Sequence, residues 1–180
     1  MATELVSILK RGGIAVMPTD TVLGVVARAR DRAAVARLYS LRRRTPAKPF
    51  IILIPNIGSL ASFGVRVGAK ERAFLRRVWP GPVSVILPCR SKRFAYLHCG
   101  AMSLAFRVPK SARLHALLGK TGALVAPSAN PEGMPPAKNT PEAYTYFGAS
   151  VDYYARGRTT SRRPSTLVAL ERDGRVRVIR

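Results

Sequence analysis

Two short apolar runs, each emptying into a turn of small polar residues, constrain this chain more than any other feature. Gly13-Ile14-Ala15-Val16-Met17 leads into Pro18-Thr19-Asp20-Thr21 and Gly24, and far along the chain Ala123-Leu124-Val125-Ala126 leads in the same way into Pro127-Ser128-Ala129-Asn130. Apolar runs of this length, closed by turn residues, read as buried strands. Strand ends that carry hydroxyls and freed backbone N–H groups are where open α/β sheets collect ligands, so the pair predicts one pocket built from two distant segments. Taken singly, either turn is also what an ordinary polar connection looks like.

At 180 residues the chain is long enough for one domain with a real core and short for two, so residues 1–180 read as one domain. No apolar run exceeds about five residues, too few to span a bilayer, and the expectation is a soluble, cytoplasmic protein with no membrane contact. The first eleven residues include Glu4 and lack the long apolar stretch of a secretory signal, so they read as a helix of the domain. Cys89 and Cys99 complete no metal-ligand spacing, and two free thiols are expected. Lysine and arginine number 31 against 9 acids, a formal net charge of +22. Because this excess is spread along the chain rather than held in a tail, it describes a whole surface that attracts polyanions, RNA among them. An arginine-rich background composition would produce the same balance.

Strands and helices alternate along most of the chain. Asp31 caps a helix carrying Val35, Leu38 and Leu41 on one stripe. The basic run Arg42-Arg43-Arg44-Thr45-Pro46 follows and delivers Lys48 to a strand over 50–54, Pro46 disfavouring helix before it. Further helices are predicted over 69–79, 110–118 and from Thr140-Pro141-Glu142 to about Gly148. Strands are predicted over 83–87, 103–108, 151–154, 166–170 and 176–179, the last two joined by a hairpin at Asp173-Gly174. Residues 156–164 read as a basic loop. The fold class is therefore α/β: a twisted, open, mixed sheet flanked by helices.

Several familiar chemistries are excluded by spacing. Gly119-Lys120-Thr121 would need a glycine where Leu114 stands to make a phosphate-cradling loop. His98 and His115 belong to no recognisable triad, and His115 on its Ala/Leu-rich helix reads as structural. What remains resembles the YrdC-like family of threonylcarbamoyl-AMP synthases, in its short single-domain form. The resemblance rests on six segments in order: Pro18 to Gly24; Arg42-Arg43-Arg44-Thr45-Pro46-Ala47-Lys48-Pro49-Phe50; Pro80-Gly81-Pro82-Val83-Ser84; Arg107-Val108-Pro109; Ser128-Ala129-Asn130-Pro131-Glu132-Gly133; and Pro164-Ser165-Thr166-Leu167-Val168. The chain departs from that pattern at Leu23, where an aromatic is usual, at Arg42 for lysine, at Glu132 for a small hydroxyl residue and at Tyr153-Tyr154 for glycines. Leu23 and Glu132 are expected to reshape the pocket.

The resemblance implies that L-threonine, bicarbonate and ATP become threonylcarbamoyl-adenylate and pyrophosphate, the adenylate passing to partner proteins that modify tRNA. Attack at the α-phosphorus accumulates negative charge and expels a polyanion, so cations and oriented N–H donors suffice without a covalent nucleophile. By the resemblance, Arg44 and Lys48, supported by Arg42, hold the triphosphate. Ser103, Ser128 and Asn130 line the nucleotide, with Arg180 reaching it from the last strand. Arg107 has the planar fork that matches a carboxylate, and Thr21 and Ser165 complete the threonine site through hydroxyls. Mg²⁺ is expected with ATP, held mainly by phosphates and water. Asp20 stands as a general base or as the cap of its own turn. A different reading, an RNA-binding module of the same fold that makes no adenylate, is favoured by the charge and disfavoured by retention of Lys48, Arg107, Ser128, Asn130 and Ser165. A carbamoyl-transfer domain of hydrogenase maturation shares the fold but works with further domains.

Overall fold

The computed structural model describes residues 2–43, 49–157, 159, 161, 163–171 and 174–180. Helix α1 (Ala2–Lys10) opens the chain, and strands β1 (Ala15–Pro18) and β2 (Leu23–Arg28) flank the first polar turn. Helix α2 (Arg32–Leu41) starts where Asp31 accepts a hydrogen bond from the Ala34 N–H, the capping geometry its sequence predicts. Strand β3 (Ile51–Leu53) is followed by a 3₁₀ stretch (Ile57–Phe63) outside the predicted elements; Asn56 caps it and Gly64, at φ 70°, ends it. Helix α3 (Ala69–Val78), strand β4 (Val83–Pro88), the short helix α4 (Ala95–His98), strand β5 (Ser103–Arg107) and helix α5 (Ala112–Thr121) come next. Helix α5 begins later than the sequence suggested, because the Ser111 hydroxyl caps the Leu114 N–H. Strand β6 (Leu124–Val125), helix α6 (Thr140–Phe147), strands β7 (Tyr153–Tyr154), β8 (Thr166–Leu170) and β9 (Val176–Val178) complete the chain. Asp173 of the expected hairpin lies outside the described residues, while β8 and β9 do pair antiparallel.

The strands lie in one sheet in the order β7-β1-β2-β6-β3-β5-β4-β8-β9. It is mixed: β1 with β7, β3 with β5, and β4 with β8 are parallel, and the remaining neighbours are antiparallel. Alternation along each strand sorts side chains to two faces. On one face Ile14, Val16, Val25, Ile52, Val85, Leu87, Leu104, Phe106 and Val168 pack against α2, α3, α4 and α6 in the larger core. On the other, Ala15, Met17, Val26 and Leu124 pack against Leu5 and Leu9 of α1 and Leu114, Leu117 and Leu118 of α5. The helices on this second face cover the half of the sheet around β1, β2 and β6 and reach Leu53 of β3. Beyond them, the face formed by β5, β4 and β8 with Ile51 of β3 lines the cavity that holds the candidate site.

Cys89 and Cys99 are free thiols, as expected; burial pushes the Cys89 thiol above its ordinary value. No helix among the described residues is long and apolar enough to cross a membrane.

Candidate active site

A cavity of about 530 Å³ occupies the open half of the sheet, a volume within the range usual for small-molecule sites. Its floor follows from register. Ile51 of β3 and Ile86 of β4 both sit opposite Ala105 of β5, so three apolar side chains run side by side across three strands, with Leu167 of β8 beyond. Ser103, Ala105 and Arg107 occupy alternate positions of β5 and share this face, whereas Leu104 and Phe106 between them face the larger core.

The two polar turns meet at the cavity's edge, as their sequence predicted. The Val25 N–H donates to the Pro127 carbonyl at 3.0 Å and the Ala129 N–H to the Leu23 carbonyl at 2.9 Å, so the second turn is hydrogen-bonded to the strand that leaves the first. Gly24 permits this approach: a Cβ there would lie 3.0 Å from Thr19 Cγ2 and 3.4 Å from the Pro127 carbonyl oxygen.

Arg107, only 3% exposed, is the cation at the first turn. Its Nη1 donates to Thr21 Oγ1 at 3.1 Å, and its Nη2 forms an ion pair with Asp20 Oδ1 at 3.1 Å. Burial pushes the guanidinium below its ordinary value and the Asp20 carboxylate pulls it back up. Nε of Arg107 is buried with no hydrogen-bond partner among the described residues. The other carboxylate oxygen of Asp20 accepts from the Lys110 N–H at 3.0 Å, holding the end of β5 against the turn.

Arg42, also 3% exposed, is the cation at the second turn. It lines the cavity while its Nε donates to the Asn130 carbonyl at 2.8 Å, and Nη2 lies 3.3 Å from Asn130 Oδ1 and 3.4 Å from Ser128 Oγ. Asn130 is not part of the cavity lining. Its Nδ2 donates to the carbonyls of Pro131 at 2.8 Å and Met134 at 2.7 Å, so the side chain folds its own turn and steadies Arg42.

Of the other expected residues, Thr21, Ser103, Ser128, Ser165 and Arg180 line the cavity together with Arg42 and Arg107. Arg44 and Lys48 lie outside the described residues, as do Arg158 and Arg162 of the basic loop. Leu23 is a core residue, 2% exposed, and neither it nor Glu132 is part of the lining. Two buried hydroxyls were not recognised as part of the site. Ser84 of β4, fully buried, hydrogen-bonds Ser165 at 2.8 Å, and Thr19 pairs with Thr21 at 3.1 Å. The apolar floor was missed as well, although the alternation of Ser103, Ala105 and Arg107 pointed to it. Among the described residues no group of three or more His, Cys, Asp or Glu is placed to hold a metal ion.

The chain's likeness to known proteins agrees with this geometry. The threonylcarbamoyl-AMP synthase of Nitrosococcus oceani is 37% identical over 172 residues, covering 93% of this chain and 90% of the relative. That of Thiobacillus denitrificans is 35% identical over 163 residues, covering 90% and 87%. Among solved structures, P. abyssi Sua5 complexed with L-threonine superposes with a TM-score of 0.86 at 26% identity over 94% of this chain, which spans 50% of that longer protein. E. coli YciO, at 22% identity, shares the fold with a TM-score of 0.86 over 99% of this chain and 87% of its own. The family model described as "Telomere recombination" matches residues 7–180, and over that span this chain belongs to the Sua5/YciO/YrdC family.

Proposed function

We infer that this protein is a threonylcarbamoyl-AMP synthase, an ATP-using transferase that converts L-threonine, bicarbonate and ATP into threonylcarbamoyl-AMP and pyrophosphate. The observation that carries the reading is the pairing of two features in one cavity. A buried arginine with an unused N–H lies beside two hydroxyls at one side, and an apolar floor bordered by a second buried arginine occupies the rest. The same reading is supported by relatives of that name, which match this chain over most of their length.

The residue roles belong to this proposal. Arg107 takes the threonine carboxylate, with Thr21 and Ser165 beside it. Ser103, Ser128 and Arg180 contact the nucleotide, and Arg42, Arg44 and Lys48 face the phosphates. Asn130 acts through Arg42 rather than by touching ATP. Mg²⁺ would travel with the phosphates of ATP and complete its shell with water, since Asp20, the carboxylate paired with Arg107, is already engaged. The charge developing at the α-phosphorus would be met by the arginines that line the cavity. We treat residues 1–180 as one domain acting in the cytoplasm, delivering the adenylate to tRNA-modifying partners. Contact with RNA would be electrostatic, with an affinity that falls steeply as salt rises and differs little between tRNA and unrelated RNA.

Incubating the purified chain with radiolabelled bicarbonate, threonine and ATP tests the central reading. Labelled threonylcarbamoyl-AMP is expected, and threonine should outcompete valine because a site built for a hydroxyl is left with unpaired groups by the analogue lacking it. RNA binding without any labelled adenylate would favour a non-catalytic RNA-binding module instead.

A further inference from the structure

The hydroxyls of the amino-acid site can be followed proton by proton. Each serine or threonine hydroxyl has one proton to give and two lone pairs to offer. Thr19 Oγ1 lies 2.6 Å from the Val22 carbonyl, which can only accept, so the Thr19 proton is committed there. Thr19 Oγ1 also accepts from the Thr21 N–H at 3.2 Å. The 3.1 Å contact between Thr19 Oγ1 and Thr21 Oγ1 therefore runs one way, with Thr21 donating. Thr21 Oγ1 accepts from Arg107 Nη1 as well, which leaves it no proton and one lone pair.

The second pair is settled by satisfaction. Ser84 is fully buried, and Ser165 is its one hydroxyl partner among the described residues, at 2.8 Å. If Ser165 donated, the Ser84 proton would be buried without an acceptor, which is unfavourable because its lost bonds to water would go unreplaced. With Ser84 donating, both are satisfied and the Ser165 proton is left to point into the cavity that Ser165 lines.

We propose that Ser84 and Thr19, neither of which lines the cavity, set the polarity of the two hydroxyls that do, so that Ser165 meets the amino acid as a donor and Thr21 only as an acceptor. This rests on the synthase reading above. A carboxylate oxygen, which only accepts, is refused by Thr21 and taken by the unpartnered Arg107 Nε–H and by Ser165. A substrate O–H or N–H is steered to Thr21. Ser84 and Thr19 are thus positioning residues for substrate orientation.

The test is a double-mutant cycle and a substitution-and-rescue pair, both read by calorimetric titration of the full chain with L-threonine. Ser165→Ala should weaken threonine binding by about tenfold and Ser84→Ala by about fivefold, the range expected when one buried hydrogen bond is lost or misdirected. The double variant should be no weaker than Ser165→Ala, because Ser84 acts only through Ser165. Losses that multiply, or a Ser84→Ala chain with unchanged affinity, overturn the proposal. If Ser84→Ala fails to fold, Ser84→Cys keeps the volume with a weak donor and must show the same direction; undiminished affinity there also overturns it. In the rescue pair Thr19→Val should weaken threonine binding and Thr19→Ser should keep it near the parent's, and a serine variant as weak as the valine one overturns the relay. Adenylate formation by the parent chain separates the two levels. A parent that neither binds threonine nor makes the adenylate overturns the synthase reading and its occupant together, whereas a parent that does both while Ser84→Ala is silent overturns only the hydroxyl relay.

Discussion

The two polar turns look alike in sequence and do different work. In the first, from Thr19 to Gly24, the hydroxyls bond to one another and to Arg107, and Asp20 ties the turn to the end of β5. In the second, from Ser128 onward, the amide of Asn130 folds the turn on itself and grips Arg42. One turn presents an arginine held by a carboxylate and a hydroxyl; the other presents an arginine held by a backbone carbonyl and turn side chains. Equal burial of the two guanidinium groups conceals this difference, which lies in what each arginine is fastened to.

If the first turn serves the amino acid and the second the nucleotide, damage to each should be separable. The largest effect is expected from Arg107→Ala. It breaks the buried ion pair with Asp20, a loss of about 3–5 kcal/mol in stability. Threonine-dependent adenylate formation should fall by two orders of magnitude or more, roughly the cost of losing a charged clamp in a desolvated site. Urea unfolding beside a radiolabel assay measures both, and near-parental turnover would remove Arg107 from the site.

Asn130→Ala comes next. Losing its turn and Arg42 contacts should cost about 2–3 kcal/mol and raise the KM for ATP while leaving that for threonine within about twofold, since only one turn is loosened. An equal rise in both constants would break the comparison. Gly24→Ala addresses the seam itself. Its Cβ would press on Thr19 and on the Pro127 carbonyl, so both constants should move together, with about 1–3 kcal/mol of destabilisation from overpacking. A change confined to one substrate would show that the turns are not mechanically joined there.

The smallest effect is a control outside the cavity lining. Burial, with Tyr144 nearby, pushes the Tyr154 phenol up to about 12 from an ordinary value near 10. The folded state favours the neutral phenol, so its contribution is complete below the unfolded value and is lost as pH rises from about 10 through about 12. Tyr154→Phe should remove that part of the alkaline decline without altering either KM. A variant whose stability between pH 10 and 12 falls as steeply as the parent's would show that Tyr154 does not carry it.

Much of this was legible along the chain because it is local. Asp31 as a cap, Pro141 in the first turn of its helix and the short apolar runs act on their own neighbours, so α2, α6, β1 and β6 appear where the sequence places them. Arg107, Thr21, Ser128 and Ser165, singled out by motifs in order, share one cavity. The local bonds of Asn130 were not legible, because an amide that is a frequent ligand donor in polar turns here donates to two carbonyls of its own turn. The 3₁₀ stretch after β3 carried no signal beyond Asn56, since its residues serve helix and turn alike.

The sequence alone therefore determined which groups are present and which strand end carries each. Only the tertiary structure decided what those groups are free to do. Asp20 meets Arg107, Ser84 meets Ser165 and Arg42 meets Asn130 across more than eighty residues of chain. The physical reason is that a hydroxyl or guanidinium has a fixed number of protons and lone pairs. How many remain for a ligand depends on the neighbours that have already claimed the others, and those neighbours arrive from distant strands only when the sheet closes its register.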